Sequence, residues 1–379
     1  MPAPLGGMDP GHFLERYWQR EPCLLRGAMA GFDPLLDGDD LAGLACDPLA
    51  ESRLVEGPDA EGSWRVRHGP FEDADFTELG TEGWTLLVQD VEKHFPPLAA
   101  LLDQFAFLPR WRLDDLMVSF AATGGSVGPH VDQYDVFLLQ ARGRRHWQVA
   151  REFDPELVPD LPLAVLRNFE AEQGWEVEPG DMLYLPPGVA HHGVALEPCM
   201  TFSIGLRAPS AADLHLALGE WLAATPGEGG RYADPALQVP ERPGEVDAGA
   251  LRRLQRLLGS SPEISRHEAD FLTSFLSRFR LAHEPAAPVQ PPEEGPLLTR
   301  LEAGMPLERH PWTRLCWHEW NGEARLFAAG TAYRCSPRLA TLVCGPVPVA
   351  LSPSSLAPQD RETLLALVRD GHLLAMDDI

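Results

Sequence analysis

The chain has 379 residues, of which 44% are hydrophobic and 23% are charged, as is typical of a globular protein with two or three domains. Its 56 acidic and 31 basic residues leave a formal net charge of −25. So acidic a chain is not expected to bind nucleic acid through its bulk surface, whereas the charge is compatible with a basic protein partner or with a purely solubilising role.

The first part of the chain, residues 1–208, is predicted to consist mainly of short strands. A helix is expected at 9–19 and a strand at 23–25, followed by β-type runs at 84–90, 116–121, 136–140 and 146–149. Gly- and Pro-containing turns separate these runs. Many short strands connected in this way favour a barrel or a sandwich.

The second part, 209–284, changes to a helical pattern. Apolar residues recur near a 3.6-residue period over 212–223, 248–258 and 264–281. The Leu and Phe faces of these helices exceed what one small bundle can bury, so we expect a homodimer that forms through 212–282.

The third part, 285–379, begins with most of a Pro-rich linker at 283–296. Two β-type runs (314–320 and 324–329) and two helices (337–343 and 360–370) predict a winged-helix-like module. From residue 295 onward there are eight arginines against nine acidic residues, which favours a structural or partner-docking role over nucleic-acid binding.

The cysteines and the N-terminus bear on the cellular compartment. No cysteine pair has metal-ligand spacing, so all six are expected to be reduced thiols of a cytoplasmic protein. The N-terminus shows no signal-peptide pattern, and the chain contains no apolar stretch long enough to span a membrane. The cysteines are Cys23, Cys46, Cys199, Cys316, Cys335 and Cys344.

A His-x-Asp pair and a distant histidine predict a metal site. Side chains at i and i+2 of a strand share a face, so His130 and Asp132 would point into one cavity. A turn at 178–181, a short apolar strand and Pro-Pro-Gly lead to His191 and His192. Neighbours on a strand face opposite sides, so only one of the two histidines should reach the metal, and we choose His191. Two imidazoles and one carboxylate form the facial triad of non-haem Fe(II) oxygenases, which leaves positions open for a co-substrate and O2.

Arg145 is the candidate ligand of that co-substrate. It lies fifteen residues after His130, a distance that suits one strand, a tight turn at 141–143 and a return strand. A guanidinium can grip the distal carboxylate of a chelating 2-oxo acid through two hydrogen bonds. Arg144 should face away by strand alternation. Without the triad, both arginines would be ordinary hairpin surface charges.

Three further residues would line the same cavity. Asp115, at the start of a strand, has a carboxylate suited to a basic substrate side chain, although Asp114 and Asp115 together would also suit a turn cap. Ser119 shares the face of Asp115 and would support the co-substrate, and Tyr134 would face inward or towards the rim. Without the rest of the pattern, a structural role would be the simpler interpretation of each of these three residues.

Several stretches of the chain resemble the bacterial ribosomal oxygenases, which are Jumonji-C (JmjC)-type protein hydroxylases. The resemblance is dense from about 9 to 235 and weak afterwards, where only the order of helices and linker agrees. Its motifs are 124–140 (GGSVGPHVDQYDVFLLQ), 143–147 (GRRHW), 178–188 (EPGDMLYLPPG), 203–209 (SIGLRAP), 13–20 (FLERYWQR), 114–120 (DDLMVSF) and 231–235 (RYADP).

The resemblance implies a fold, a reaction and a set of site residues. The fold would be a cupin-like double-stranded β-helix at 1–208, a helical dimerisation region at 209–284, and a winged-helix-like domain within 285–379. The reaction would be Fe(II)- and 2-oxoglutarate-dependent hydroxylation, with O2, at the β-carbon of an arginine in the sixteenth protein of the large ribosomal subunit. The implied residues are His130, Asp132 and His191 for iron, Arg145 for 2-oxoglutarate, and Asp115, Tyr134 and Ser203 around the substrate arginine.

Other functions are compatible with parts of this pattern. The same cofactors would serve a histidyl hydroxylase or an N-methyl demethylase that acts on another basic protein. A non-enzymatic cupin-like binding protein would need no co-substrate and would leave Arg145 unexplained.

Overall fold

The computed structural model describes residues 3–58, 62–161, 163–224, 265–290, 292–345, 349 and 351–375. The chain divides into two units, Met1–Ala208 and Pro209–Ile379. The first boundary of the expected three-part division coincides with this one, but the division into three stays a prediction. Much of its middle part, 225–264, lies outside the described residues, including the expected helix at 248–258 and the motif at 231–235.

Strands dominate the N-terminal unit. Its helices are α1 (Pro10–Arg16), α2 (Gly38–Ala45), α3 (Asp73–Thr77), α4 (Val91–His94) and α5 (Ala99–Asp103), with 3-10 turns at Pro96–Leu98 and Arg110–Arg112. Its strands are β1 (Cys23–Leu25), β2 (Ser52–Glu56), β3 (Arg65–His68), β4 (Trp84–Val88), β5 (Leu113–Ala121), β6 (His130–Val131), β7 (Val136–Arg142), β8 (Arg145–Ala150), β9 (Gln173–Val177), β10 (Met182–Leu185), β11 (Ala190–Ala195) and β12 (Cys199–Leu206).

These strands form two antiparallel sheets that enclose a shared interior. The large sheet has the order β1-β10-β7-β12-β5-β4-β2-β3, and the small sheet has the order β6-β11-β8-β9. Val136 and Leu138 of the large sheet pack with Trp147 and Val149 of the small sheet. The two sheets therefore face each other as in a double-stranded β-helix.

The outer face of the large sheet is covered as well. Phe137 and Tyr184 point away from the interior and pack with Phe13 of α1 and Leu41 of α2. Strands β7, β10 and β12 are thus buried on both faces, which explains why they read as continuous apolar runs and do not alternate with polar residues.

The expected hairpin around Gly143 is wrong. Strand β7 pairs with β10 and β12, whereas β8 pairs with β11 and β9. Residues 143 and 144 therefore carry the chain from one sheet to the other. Gly143 has a φ of 60°, and a Cβ there would lie 2.2 Å from the carbonyl oxygen of Pro198. The crossing requires glycine at this position.

The C-terminal unit combines helices with two small sheets. Its helices are α6 (Ala211–Ala224), α7 (Arg266–Arg278), α8 (Glu294–Glu302), α9 (Pro337–Cys344) and α10 (Pro358–Arg369), and a 3-10 turn spans Pro353–Ser355. Its strands are β13 (Leu307–Arg309), β14 (Leu315–Trp320), β15 (Glu323–Ala328), β16 (Thr331–Cys335) and β17 (Leu373–Ala375).

In this unit β14, β15 and β16 form an antiparallel meander, and β13 pairs with β17. Buried Leu326, Leu339 and Leu364 join the meander to α9 and α10 in one core. The first helix of the unit meets α7 through the rings of Trp221 and Phe271. Helix α8 begins at Glu294, inside the stretch expected to be linker.

Two further expectations from the sequence concern the cysteines and membrane-spanning segments. All six cysteines are free thiols. Among the described residues, no helix is both long enough and apolar enough to cross a membrane.

Candidate metal centre and substrate cavity

A cavity of about 360 Å³ lies between the two sheets of the N-terminal unit. Every site residue expected from the sequence lines it. These residues are His130, Asp132, His191, Arg145, Ser119, Asp115, Tyr134 and Ser203.

Two histidines and one aspartate converge at one point of the cavity wall. His130 on β6 and His191 on β11 are direct partners across antiparallel strands, and their ring centroids lie 4.2 Å apart. Asp132 follows the end of β6. Its Oδ2 lies 3.9 Å from Nε2 of His130 and 3.7 Å from Nε2 of His191. One donor atom from each residue lies within 4.8 Å of the other two.

The hydrogen bonds of the two rings prepare them for a metal. Nδ1 of His130 lies 2.9 Å from the carbonyl oxygen of Gly128, and Nδ1 of His191 lies 3.1 Å from that of Val189. A carbonyl can only accept, so each Nδ1 carries the proton and each Nε2 presents a lone pair to Asp132. Burial lowers the pKa of His191 well below its usual value, and the nearby His130 lowers it further, so the ring is neutral. This set of two imidazoles and one carboxylate fits a divalent iron.

His192 lies on the other face of β11. Its ring meets the edge of Phe169 at 6.1 Å, and it does not belong to the group of three donors. His191 and His192 therefore face opposite sides of β11, as the alternation of side chains along a strand predicts.

Arg145 lies deeper in the cavity, where it is 5% exposed. Its Nη1 donates to Oγ1 of Thr201 at 3.3 Å, and that hydroxyl donates to Oε1 of Gln140 at 3.1 Å. Nε of Arg145 is buried and has no hydrogen-bond partner among the described residues. A buried guanidinium with unused donors suits a carboxylate guest. Arg144 instead faces outward, with its side chain 49% exposed, and pairs with Glu197.

Trp147 lies between Arg145 and His191, one of the three candidate metal donors. Its ring lies 5.4 Å from the guanidinium carbon of Arg145 and 5.9 Å from the ring centroid of His191. The indole occupies the space above Gly193, where a Cβ would lie 2.6 Å from the nearest ring carbon. Glycine at this position therefore lets the tryptophan support both groups.

Asp115 offers an anion on another wall of the cavity. It lies within β5, so it does not cap a turn, and its neighbour Asp114 pairs with Arg207 at 2.9 Å. The Asp115 carboxylate makes no hydrogen bond or salt bridge to the described part of the chain. Burial raises its pKa well above the ordinary value, and the nearby carboxylate of Glu92 raises it further. A cationic guest would restore its charge.

Sequence reasoning missed several residues of this cavity. Beside the wall, Thr201 accepts from Arg145 and Gln140 accepts from Thr201. In the wall itself, Trp147 packs on Arg145, and Arg53 and Gln89 were also missed. The only local signal was Trp147, inside the run GRRHW. The others are brought in by strand register, which a local pattern does not reveal.

Comparison with known proteins identifies the chain's relatives. Residues 100–214 match the JmjC domain family, and residues 258–374 match the ROXA-like winged helix family. The chain is 40% identical to the ribosomal protein uL16 3-hydroxylase of Escherichia coli over 304 residues, which cover 76% of this chain and 79% of that protein. This chain is a JmjC ribosomal oxygenase.

Further relatives agree with this membership. A probable ribosomal oxygenase of Haemophilus influenzae is 39% identical over 210 residues, which cover 55% of this chain and 52% of that protein. The crystal structure of E. coli YcfD superposes with a TM-score of 0.85 and 34% identity over 99% of this chain and all of that one. A structure of the same E. coli protein in complex with cobalt and 2-oxoglutarate gives a TM-score of 0.82, covering 98% of this chain and 99% of that one.

These findings confirm the family, the β-helix with its C-terminal winged helix, and the oxygenase class with its metal and 2-oxoglutarate dependence. The roles of individual residues in this ribosomal oxygenase stay predictions.

Proposed function

We propose that this ribosomal oxygenase hydroxylates the β-carbon of an arginine in the large-subunit protein uL16, with Fe(II), 2-oxoglutarate and O2. The name of the E. coli relative supports uL16 and the 3-position. The observation that carries a basic side chain is the Asp115 carboxylate, which lines the same cavity as the metal donors and Arg145.

His130, Asp132 and His191 would hold the iron through two imidazole Nε2 atoms and one carboxylate oxygen. The iron, when bound, supplies the activation of O2 that side chains cannot provide. The buried carbonyl partners of the two Nδ1 protons keep both rings oriented, as outer partners of metal ligands commonly do.

Arg145 would bind the distal carboxylate of 2-oxoglutarate. Thr201 holds the guanidinium from one side and Trp147 supports it from another, so the group is positioned before its guest arrives. Ser119 lies beside Thr201 in the β5–β12 register, at the same end of the cavity.

Asp115 would pair with the guanidinium of the target arginine through two hydrogen bonds. Tyr134 and Ser203 line the same cavity and would restrict the position of that side chain. A fixed side chain presents one C–H bond to the reacting centre, so Asp115 would affect turnover as well as binding.

Intact-mass analysis of ribosomal proteins from cells with and without the gene tests the reaction. A shift of about 16 Da on uL16, the mass of one added oxygen, should depend on the gene and map to an arginine. Asp132→Ala should abolish substrate-dependent succinate formation. Release of formaldehyde would instead indicate demethylation, and a shift that maps to histidine would refute the arginine assignment.

A matched pair of variants tests the co-substrate site. Arg145→Ala should raise the KM for 2-oxoglutarate steeply, because the loss of a desolvated charged pair costs about 2–5 kcal/mol. Arg144→Ala removes the same charge one residue away and should leave that KM unchanged. The reverse result would overturn the assignment of Arg145.

We also propose a cytoplasmic homodimer. Its basis is the apolar pattern that the sequence predicts to be helical from 212 to 282, and the 69% exposure of Leu216 on α6. Sedimentation at micromolar concentration tests it, and a fully active monomer would refute it.

A further inference from the structure

Two polar side chains of the cavity wall have no role in the reaction as described. Arg53 on β2 and Gln89 just after β4 both line the cavity. Nε of Arg53 is buried without a hydrogen-bond partner, and neither side chain forms a hydrogen bond or salt bridge with the residues that the structure describes. A buried polar group without a hydrogen-bond partner costs free energy. This part of the wall is therefore suited to binding a polar ligand.

The strand register places both residues on the same cavity-facing side of the large sheet as Asp115. Arg53 pairs with Leu87 across β2 and β4, and Leu87 pairs with Ser119 across β4 and β5. Gln89 shares the face of Leu87 because it lies two residues further along the chain. Asp115 shares the face of Ser119 for the same reason, four residues away.

Ser203 extends this face to a fourth strand, since it pairs with Met117 of β5, which lies between Asp115 and Ser119. From β2 through β4 and β5 to β12, the wall therefore presents a cation, an amide, an anion and a hydroxyl. Adjacent strands lie about 4.8 Å apart, so these four strands are about 14 Å wide, which is the length of about four extended residues.

The chemistry of this face matches a polypeptide that contains a basic residue. The anion at Asp115 suits the target guanidinium. A cation would repel that side chain, so Arg53 is suited to oxygen acceptors. The carboxamide of Gln89 can both donate to a carbonyl and accept from an N–H. Arg145 comes from β8 of the small sheet, whereas Arg53 lies on β2 of the large sheet, two strands away from Ser119 and three from Thr201, which binds Arg145.

We infer that Arg53 and Gln89 bind the main chain of the substrate beside the target residue, so that an extended segment of about four residues lies across β2, β4, β5 and β12. This inference rests on the proposed function and deepens it. It adds a second point of recognition, which binds the main chain of the substrate and not the target side chain. Such binding energy from parts of the substrate that do not react helps to position the part that does.

Peptide kinetics test the inference with matched variants. Arg53→Met and Gln89→Leu should each raise the KM for a uL16 peptide centred on the target arginine, by about tenfold for the charged donor and less for the amide. The KM for 2-oxoglutarate and the peptide-independent formation of succinate should stay within about twofold, a range that ordinary surface substitutions produce. Arg65→Met on β3 is the control, since its side chain is 69% exposed and approaches Glu56 only to 3.8 Å.

Two further measurements define the contact. Shortening the peptide on the side that meets Arg53 should raise the KM of the parent protein but not that of Arg53→Met. Peptides whose flanking Asp and Glu residues are replaced by Ala should keep their dependence on Arg53. If they lose it, Arg53 binds a carboxylate side chain and the main-chain assignment is wrong. Arg53→Lys, which keeps the charge, should fall between the parent protein and Arg53→Met.

The outcomes separate this inference from the proposed function. If the parent protein does not hydroxylate the peptide or whole uL16, the proposed function fails and the inference fails with it. If the parent protein is active and a folded Arg53→Met protein, checked by its thermal midpoint, has the parent KM for peptide, only the inference is overturned. A raised KM for 2-oxoglutarate in Arg53→Met would also overturn it, because Arg53 would then belong to the co-substrate site.

Discussion

Replacement of Gly193 by alanine should disturb Arg145 and the candidate metal ligand His191 together. An ideal Cβ at Gly193 would lie 2.6, 2.7 and 2.8 Å from three carbons of the Trp147 ring. Carbon atoms prefer a separation of about 3.5–4.0 Å, so the ring must retreat by roughly 1 Å. The same ring lies 5.4 Å from the Arg145 guanidinium and 5.9 Å from the His191 ring, so a shift of the indole is expected to disturb both side chains.

The expected cost is about 1–3 kcal/mol of folding free energy, which is typical of overpacking, and about a hundredfold in turnover, since a displacement near 1 Å can cause such a loss. Thermal unfolding and substrate-dependent succinate formation measure the two effects. Gly43→Ala on α2 is the control, because its Cβ would have no atom within 4 Å. Adding Trp147→Phe to Gly193→Ala should recover part of the stability. Turnover and thermal midpoint equal to those of the parent protein would refute the reasoning.

Three other predictions concern separate parts of the site. Gly205→Ala places a Cβ 2.8 Å from Oδ1 of Asp115, so it should raise the KM for the arginine peptide without affecting that for 2-oxoglutarate. His192→Ala should keep most of the activity that His191→Ala abolishes; equal losses would mean that both rings serve the metal. Burial raises the pKa of Glu92 to about 7, so the folded state prefers the protonated form and loses stability as pH rises from about 4.5 to 7. Glu92→Gln should reduce this loss, which is at most about 3.4 kcal/mol, when urea unfolding is compared at pH 5 and pH 8. A pH dependence equal to that of the parent protein would contradict the pKa assignment.

The grouping of the three candidate metal donors was predictable because the information is local. Alternation along a strand puts His130 and Asp132 together and separates His191 from His192, and the structure places them accordingly. Asp132 lies one residue beyond the end of β6. Its side chain nevertheless lies on the side that strand alternation predicts.

Strand partners were not predictable in the same way. The expected hairpin at Gly143 failed because a two-residue connection also suits a crossing between facing sheets, and both strands are apolar enough for either arrangement. Arg53, Gln89 and Thr201 were missed for a related reason. Their place in the cavity depends on the register of strands far apart in the chain, and a single sequence does not contain that register.

The crossing at Gly143 has a consequence for how the enzyme tolerates change. Two residues tie the sheets together beside Arg145, so the spacing between the sheets at that end is set by covalent geometry. Strands β2 and β4, which carry Arg53 and lead to Gln89, belong to the large sheet alone and have no such tie to the small one. The end that would receive 2-oxoglutarate, which is the same in every turnover, therefore has a fixed width, whereas β2 and β4 are under no such constraint. A change of protein substrate within this scaffold is therefore expected to use new side chains on β2 and β4 in addition to changes at Asp115, Tyr134 and Ser203, with the candidate metal ligands left intact.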